Sequence, residues 1–386
     1  MTGETPQLSV VQRLRKSPFY DATVRWGVRT FTVYNHMLMP TCFESTEADY
    51  WKLVTGTTLW DVAAERQVEI IGKDAFRLVR LLTPCNLSEI AVGQCKYAPV
   101  VDHNGGMIND PLITRLDDDR FWISLADSDV LLWAKGVALG MRLDVEIFEP
   151  DVSPLALQGP QSRAVASSLF GDWIGTLGFF RVRETELDGI PLVVARSGWS
   201  KQGGFEFYLL DGRRGEELWE RVMHAGKPFG IAPAAPSTIE RVESGLLSYG
   251  SDMTLDNNPL EIGLQKLCDL DQEFDFIGKS ALREIRRAGV RQKLVGLTMG
   301  EQRLPGNQHW WPVLDTGDAV LGKVTSAVYS PRLQRYIGFA IIETGHAVPG
   351  KTVRVVSPHG EFPGLVGPAS FETPPAHARR GSEKIS

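Results

Sequence analysis

The amino-acid sequence predicts an α+β protein of two related α+β halves followed by a small C-terminal β-barrel or sandwich. Two observations predict the halves. The first is that segments that alternate as strands do are followed by segments with helical spacing. The second is that this order occurs twice before about residue 290. A third observation predicts the C-terminal unit, because the later residues form short β-rich segments broken by glycine and proline.

The first half begins with a strand followed by a helix. Residues 67–71 alternate as a strand does, and apolar residues then recur at helical spacing over 75–82. Three aspartates at 117–119 form the turn of a hairpin. The other predicted elements are a strand at 97–101, hairpin strands at 112–116 and 121–125, a helix at 128–139 and a strand at 143–148. This order resembles an elaborated ferredoxin-like layer.

The second half repeats this organisation. Its clearest signal is a hairpin in which Asp188-Gly189 connects strands 181–187 and 190–196. The other predicted elements are a strand at 155–157, a helix at 162–169, a strand at 205–210 and a helix at 216–223. We assign the two halves to residues 1–150, including an N-terminal extension, and to residues 151–290.

The C-terminal unit follows a basic helical stretch at residues 282–288. Its predicted strands are 294–297, 320–328, 336–342 and 352–356. We assign this β unit to residues 291–374 and expect residues 375–386, which are polar and charged, to be a flexible tail.

Composition excludes several classes of function. The chain has 386 residues and a net charge of −6, without a dense block of lysine and arginine, so nucleic acid is not an expected partner. No signal peptide or membrane span is expected, which predicts a cytoplasmic protein. The four cysteines and seven histidines lack metal-ligand spacing, and no nucleotide-binding fingerprint occurs, so we expect no metal.

Asp110 is the first candidate site residue, at the end of a segment that contains two adjacent glycines, Gly105 and Gly106. Two interpretations remain open from the spacing alone. In one, the aspartate hydrogen-bonds the backbone of its own turn. In the other, it is a catalytic carboxylate.

Glu206 is the second candidate, on a strand between aromatic residues after the glycine-rich loop 196–204. A buried carboxylate is costly unless it is paired, and the N–H edge of an aminopyrimidine, as in a pterin, is a suitable bidentate partner. A solvent-facing glutamate is the alternative. A third motif, Arg241-x-Glu243-x-Gly245 followed by Tyr249-Gly250, indicates a helix that ends at a glycine cap.

Read together, these segments resemble the glycine-cleavage T-protein (aminomethyltransferase) family over nearly the whole chain. The matching segments, in order, are residues 59–62, 105–110, 157–160, 196–206, 241–250, 275–279, 322–326 and 330–331. The collinear set carries the resemblance, since no single segment is decisive. It implies a three-domain cloverleaf that holds tetrahydrofolate in a central site.

One departure from the T-protein pattern is informative. Residues 63–69 begin Ala63-Ala64-Glu65, whereas a T-protein usually shows a Ser-His-Met run there. This version resembles the dimethylsulfoniopropionate demethylases, as do residues 17–19, 33–40 and 109–111. The resemblance implies transfer of a methyl group from dimethylsulfoniopropionate, or a similar small methylated sulfonium, to N5 of tetrahydrofolate.

Three alternatives remain open. The chain is a glycine-cleavage-type aminomethyltransferase in the first and a demethylase of another methylated donor in the second. In the third it is a folate-binding assembly factor without chemistry of its own. The missing Ser-His-Met run counts against the first, so a lipoyl carrier protein is not an expected partner; we expect a monomer or homodimer.

The resemblance also implies roles for individual residues. Asp110 is expected to stabilise the positive charge that moves from sulfur to N5 during methyl transfer. The residues expected to bind tetrahydrofolate are Glu206, Tyr208, Arg241 and Trp199. A sulfonium has no hydrogen-bond donor, so aromatic faces would recognise it. The candidates for this contact are Tyr34, Tyr97 and Trp173, together with Trp199.

Overall fold

The computed structural model describes residues 10–373, which begin with two helices that flank a hairpin. These elements are α1 (Tyr20–Arg25), β1 (Thr30–Tyr34), β2 (Met37–Cys42) and α2 (Thr46–Thr55). The hairpin turn is Asn35-His36, with φ angles of 47° and 61°. Two left-handed residues give a turn whose twist matches that of the flanking strands. The turn therefore holds buried Asn35 at a fixed place beside Tyr34.

A five-stranded antiparallel sheet forms the first α+β unit. Across the sheet, its strands are β10 (Glu146–Phe148), β4 (Gln67–Ile71), β9 (Arg120–Ser124), β8 (Leu112–Asp117) and β5 (Gln94–Tyr97). Helices α3 (Ala75–Leu81) and α4 (Val130–Gly140) cover one face. Val68 and Ile70, at alternate positions of β4, share a buried core with Leu78 of α3 and Ala134 of α4.

A six-stranded sheet forms the second unit. Across the sheet, its strands are β12 (Val182–Leu187), β13 (Ile190–Ala195), β14 (Gly204–Leu209), β11 (Ser153–Gln158), β3 (Thr57–Asp61) and β15 (Ile231–Pro233). Helices α5 (Ser162–Phe170) and α6 (Gly215–Gly226) share a core with Phe205 and Phe207 of β14. Because side chains alternate along a strand, Glu206 and Tyr208 point to the opposite face. That face meets the first sheet, where the ring centroids of Tyr208 and Trp122 are 5.6 Å apart.

Strand β3 shows that chain order and sheet order differ. It lies within the range predicted for the first half, yet it pairs with β11 in the second sheet, Leu59 opposite Leu157 and Trp60 opposite Ala156. All five residues of β3 are buried. The N-terminal extension thus contributes a central strand to the second sheet before the chain enters the first.

Two further helices and a short strand pair lie outside the two sheets and the C-terminal unit. They are β6 (Val100–Val101), β7 (Met107–Asn109), α7 (Thr238–Ser244) and α8 (Lys279–Ala288). Glu243 of α7 is 1% exposed and accepts hydrogen bonds from the Tyr50 hydroxyl (2.9 Å), the Ser330 hydroxyl (2.5 Å) and the Arg332 guanidinium. This buried network joins α2, α7 and the C-terminal unit.

The C-terminal unit is a closed six-stranded barrel. Its strands, in order around the barrel, are β16 (Gln292–Thr298), β19 (Arg335–Glu343), β18 (Val320–Ser330), β17 (Trp311–Leu314), β20 (Thr352–Ser357) and β21 (Gly360–Gly367). The sequence predicted either a barrel or a sandwich for this unit, and the structure shows a barrel. Strands β17 and β21 were not predicted, because β17 is short and contains Pro312, and β21 contains three glycines and Pro363.

The predicted α+β class is confirmed, and most predicted elements are present with ends shifted by a few residues. The strand predicted at 97–101 is instead two short strands, β5 and β6, because Ala98-Pro99 interrupts it. The predicted tail at 375–386 lies outside the described residues. Within residues 10–373, no helix combines the length and apolar character needed to cross a membrane.

Candidate functional site

Asp110 lies directly after β7, where the chain turns towards β8. Its Oδ2 accepts a hydrogen bond from the Tyr97 hydroxyl (2.8 Å), whereas its buried Oδ1 has no partner among the described residues. The preceding turn is tied by a different carboxylate, since Asp102 Oδ1 accepts from the Gly106 N–H (2.7 Å) and the Asn104 N–H (2.9 Å). Asp110 therefore does not stabilise this turn, and one of its oxygens is available to a ligand.

The surroundings of Asp110 favour its neutral form. Burial raises the pKa of this carboxyl from 3.8 to about 7, and the charge of Asp252 adds to the increase, while the Tyr97 hydrogen bond lowers the pKa. The neutral and ionised forms are thus similarly populated near pH 7. A positive charge placed beside Oδ1 would favour the carboxylate.

Glu206 lies on β14, on the face that meets the first sheet, and is 5% exposed. Its Oε2 accepts hydrogen bonds from the Ser197 hydroxyl and, at 3.3 Å, from the Tyr208 hydroxyl. Burial raises the pKa of the Glu206 carboxyl, and these two donors oppose the increase. The alternative in which Glu206 faces solvent is therefore excluded.

The loop before Glu206 is held by the buried side chain of Gln158. The Gln158 Nε2 donates to the Ser197 carbonyl (3.2 Å), and its Oε1 accepts from the Ser200 hydroxyl (2.7 Å). At Gly198, where φ is 145°, a Cβ atom would lie 2.0 Å from the Gln158 amide. Only glycine allows this close approach, so the loop conformation that presents Ser197 to Glu206 depends on it.

Arg241 connects α7 to the barrel. Its Nη1 donates to Asp252 Oδ2 (2.7 Å) and its Nη2 donates to the Ser326 hydroxyl (2.6 Å). The guanidinium carbon lies 5.8 Å from the centroid of the Trp199 ring, within cation–π range. Arg241 therefore neutralises Asp252, whose charge acts on Asp110, and supports one side of Trp199.

Of the four aromatic candidates for the sulfonium contact, Tyr34 and Tyr97 lie beside the carboxylates. The Tyr97 hydroxyl donates a hydrogen bond to Asp110. The pKa of the Tyr34 hydroxyl is raised by burial together with the charges of Glu65 and Asp110. Trp173 lies elsewhere. It packs edge-on against Phe170, which contacts Phe207 on the face of β14 opposite to Glu206.

Two further residues of the site were not predicted. Glu65 occupies the turn between β3 and β4, and burial together with the charges of Glu206 and Asp110 raises the pKa of its carboxyl well above the usual range. Tyr249 donates from its hydroxyl to the Met107 carbonyl (3.0 Å), and burial with the charge of Asp110 raises its pKa to about 12. The divergent 63–69 run and the Tyr249-Gly250 motif were the available signals.

These residues form a three-carboxylate cluster, which we define as Glu65, Asp110 and Glu206, lined by tyrosine hydroxyls. Throughout the part of the chain that the structure describes, no lysine or arginine forms an ion pair with any of the three. Carboxylates with free acceptor capacity suit a ligand that supplies N–H donors or positive charge. The pterin ring of a folate offers the donors, and the unpartnered Oδ1 of Asp110 is available to positive charge on a bound ligand.

Comparison with known proteins identifies two family domains in the chain. Residues 19–272 match the GCVT N-terminal domain, and residues 292–371 match the glycine cleavage T-protein C-terminal barrel domain. The dimethylsulfoniopropionate demethylase DmdA of Ruegeria pomeroyi is 44% identical over 352 residues, which cover 91% of this chain and 96% of that protein. An aminomethyltransferase of Caldanaerobacter subterraneus is 28% identical over 90% of this chain and 92% of its own length.

The fold has a solved counterpart. The aminomethyltransferase T of the Bartonella henselae glycine cleavage system superposes with a TM-score of 0.83 at 20% identity, covering 94% of this chain and all of that one. The resemblance drawn from the sequence is thus confirmed in both domains. The chain belongs to the glycine cleavage T-protein family of tetrahydrofolate-dependent transferases.

Proposed function

We propose that this protein is a cytoplasmic demethylase that moves a methyl group from dimethylsulfoniopropionate, or a similar small methylated sulfonium, to N5 of tetrahydrofolate. The observation that carries the proposal is the buried, unpartnered Oδ1 of Asp110 within a carboxylate cluster that has no protein counter-ion among the described residues. The 44% identity to a relative named for this activity supports the donor class.

Glu206 would hold the pterin ring of the folate. It is fixed in place by Ser197 and Tyr208, and its carboxylate can accept two parallel N–H bonds from an aminopyrimidine edge. Trp199 lies in the same glycine-rich loop as Ser197 and offers an aromatic face, with the Arg241 guanidinium within cation–π distance of its ring. When bound, tetrahydrofolate supplies N5 as the nucleophile, and the donor leaves as a neutral thioether.

Asp110 would stabilise the charge that appears on N5 as the methyl group arrives. Its Oδ2 is held by Tyr97, so the free Oδ1 keeps a fixed position and needs no reorganisation during the reaction. Because its pKa is about 7, the same carboxylate is a suitable acceptor for the proton that N5 must lose. The thioether leaves without protonation, so no general acid is required.

Tyr34 and Tyr97 are the proposed aromatic contacts of the sulfonium, since both lie within electrostatic reach of Asp110. Trp173 is not included, because its contacts lie on the other face of β14.

Turnover of tetrahydrofolate to its 5-methyl form tests the proposal. Purified protein is assayed with dimethylsulfoniopropionate, other methylated sulfonium and ammonium compounds, and an aminomethylated lipoyl carrier protein. We expect 5-methyltetrahydrofolate with the sulfonium donor. A methylene rather than a methyl derivative of the folate, formed only with the carrier protein, would identify an aminomethyltransferase. Folate binding without turnover of any donor would leave a binding protein.

A further inference from the structure

Glu65 occupies a place in the site that is fixed by backbone hydrogen bonds. The Glu65 N–H donates to the Val62 carbonyl (2.9 Å), and the Glu65 carbonyl accepts from Gln67 Nε2 (2.8 Å). Next to it, the Ala64 carbonyl accepts from Asn35 Nδ2 (3.0 Å). Both flanks of the residue are thus held, and its side chain projects from a rigid turn.

The same hydrogen-bond network brings Glu65 close to Asp110 and Tyr34. The Ala126 carbonyl accepts from Asn35 Nδ2 (3.1 Å) and from Asn109 Nδ2 (3.0 Å). Asn35 is the chain neighbour of Tyr34, and Asn109 is the chain neighbour of Asp110. The Asn35 amide thus links the Ala64 and Ala126 carbonyls, and Asn109 shares the Ala126 carbonyl. The segments that carry Glu65, Tyr34 and Asp110 are therefore joined within one small hydrogen-bond network.

Glu65 has no partner for its charge within residues 10–373. Its neighbour Arg66 is turned away, since its Nη1 donates to Glu149 Oε2 (2.7 Å). The ionisable groups within electrostatic reach of Glu65 are instead acidic or phenolic: Glu206, Asp110, Tyr34 and Tyr208. A half-buried carboxylate among other carboxylates is unfavourable until positive charge enters.

We propose that Glu65 is a specificity-determining residue that selects a positively charged methyl donor over a neutral molecule of the same shape. This inference rests on the proposed function, because it concerns the donor side of the same site. Glu206 and Asp110 are assigned to the folate, so Glu65 is the member of the three-carboxylate cluster left to face the donor. In the free site, burial and the neighbouring carboxylates favour the neutral acid. A sulfonium that enters beside Glu65 therefore favours release of its proton to solvent and pairs with the carboxylate, which suits a ligand that donates no hydrogen bond.

The test compares two ligands that differ in charge alone. Dimethylsulfoniopropionate and 4-methylpentanoate have the same carboxylate and branching, but the second carries a neutral carbon in place of sulfur. Their dissociation constants are measured by calorimetry without folate, so no turnover occurs. We expect the wild type to prefer the sulfonium by about tenfold or more, and Glu65→Gln to lose most of this preference while its affinity for 4-methylpentanoate stays within about threefold.

Two further variants separate charge from folding. Glu146→Gln removes one exposed carboxylate on β10, far along the first sheet, and should keep the wild-type preference. Glu65→Asp keeps a carboxylate on a shorter side chain and should retain part of the preference for the sulfonium. Glu65→Gln should unfold at a temperature no lower than the wild type, because burial, together with the charges of Glu206 and Asp110, makes an ionisable side chain unfavourable at this position in the folded state.

An unchanged sulfonium preference in Glu65→Gln, or no preference in the wild type, would overturn the inference. Failure of the proposed function has a different signature. In that case the Glu65-dependent preference is present, but addition of tetrahydrofolate yields no 5-methyl product.

Discussion

Replacing Asp110 by asparagine removes the charge of the proposed catalytic group and little else. The amide oxygen of asparagine still accepts the Tyr97 hydroxyl, and the Gly105-Gly106 turn is tied by Asp102 rather than by Asp110. We therefore expect the affinities for folate and for the donor to remain nearly unchanged. The loss should fall on the methyl-transfer step, because the interaction is strongest in the transition state.

The structure indicates the size of this effect. The increase in the pKa of Asp110 from 3.8 to about 7 corresponds to about 4 kcal/mol in favour of the neutral acid. Positive charge arriving at N5 recovers part of that free energy by stabilising the carboxylate. Removal of one preorganised electrostatic contact typically lowers a rate by about 10² to 10³, and we expect Asp110→Asn to fall in this range.

Single-turnover kinetics with saturating folate and donor measure this step directly. Asp102→Asn is the matched control, since it changes a neighbouring carboxylate that serves the turn and should leave the rate within a few-fold. The pH dependence gives a second readout. Because the pKa of Asp110 is raised, the active carboxylate is lost as the pH falls through about 7, and kcat/KM of the wild type should fall with it.

Asp110→Asn should lack this step in its pH profile. A single-turnover rate within about twofold of the wild type would refute the assignment and make Asp110 a structural residue. The same conclusion would follow if the pH step near 7 persisted unchanged in the variant.

Three further predictions concern the folate contact, the buried network and cofactor use. Glu206→Gln should weaken tetrahydrofolate binding by about 1 to 3 kcal/mol, because an amide offers one acceptor to the pterin's N–H pair; an unchanged calorimetric dissociation constant would remove Glu206 from the site. Arg332→Leu should lower the free energy of unfolding by about 3 to 5 kcal/mol, since it leaves Glu243 buried without its cation, whereas the exposed Arg287→Leu should be nearly neutral in denaturant titration. Activity should survive prolonged chelation, and its loss with restoration by a divalent ion would contradict the metal-free account.

Local patterns were sufficient to predict most of the secondary structure. The hairpin with Asp188-Gly189 and the strand-helix pair over residues 67–82 were predictable because turn chemistry and side-chain periodicity act over a few residues. The place of β3 was not, since pairing of Leu59 with Leu157 depends on contacts between residues far apart in the chain. The two strands that close the barrel were missed for a local reason, because β17 is short and contains Pro312, and β21 contains three glycines and Pro363.

The site was predictable to the extent that single residues carry recognisable motifs. Asp110 and Glu206 were singled out as candidates because each ends a glycine-containing segment that matches the family. Glu65 was overlooked as a site residue because its importance comes from its distance to Asp110 and Glu206, which only the packing of the two sheets creates. Trp173 was chosen for its aromatic ring alone, and the sequence held no signal for which face of β14 it would occupy.

The most direct test of the account is the fate of the transferred methyl group. The enzyme is incubated with tetrahydrofolate and dimethylsulfoniopropionate that carries two deuterated methyl groups on sulfur, and the products are analysed by mass spectrometry. We predict one intact CD₃ group on the 5-methyl position of the folate and one equivalent of the methylated thioether. Thioether without label in the folate, or labelled folate carrying a one-carbon unit other than methyl, would contradict it.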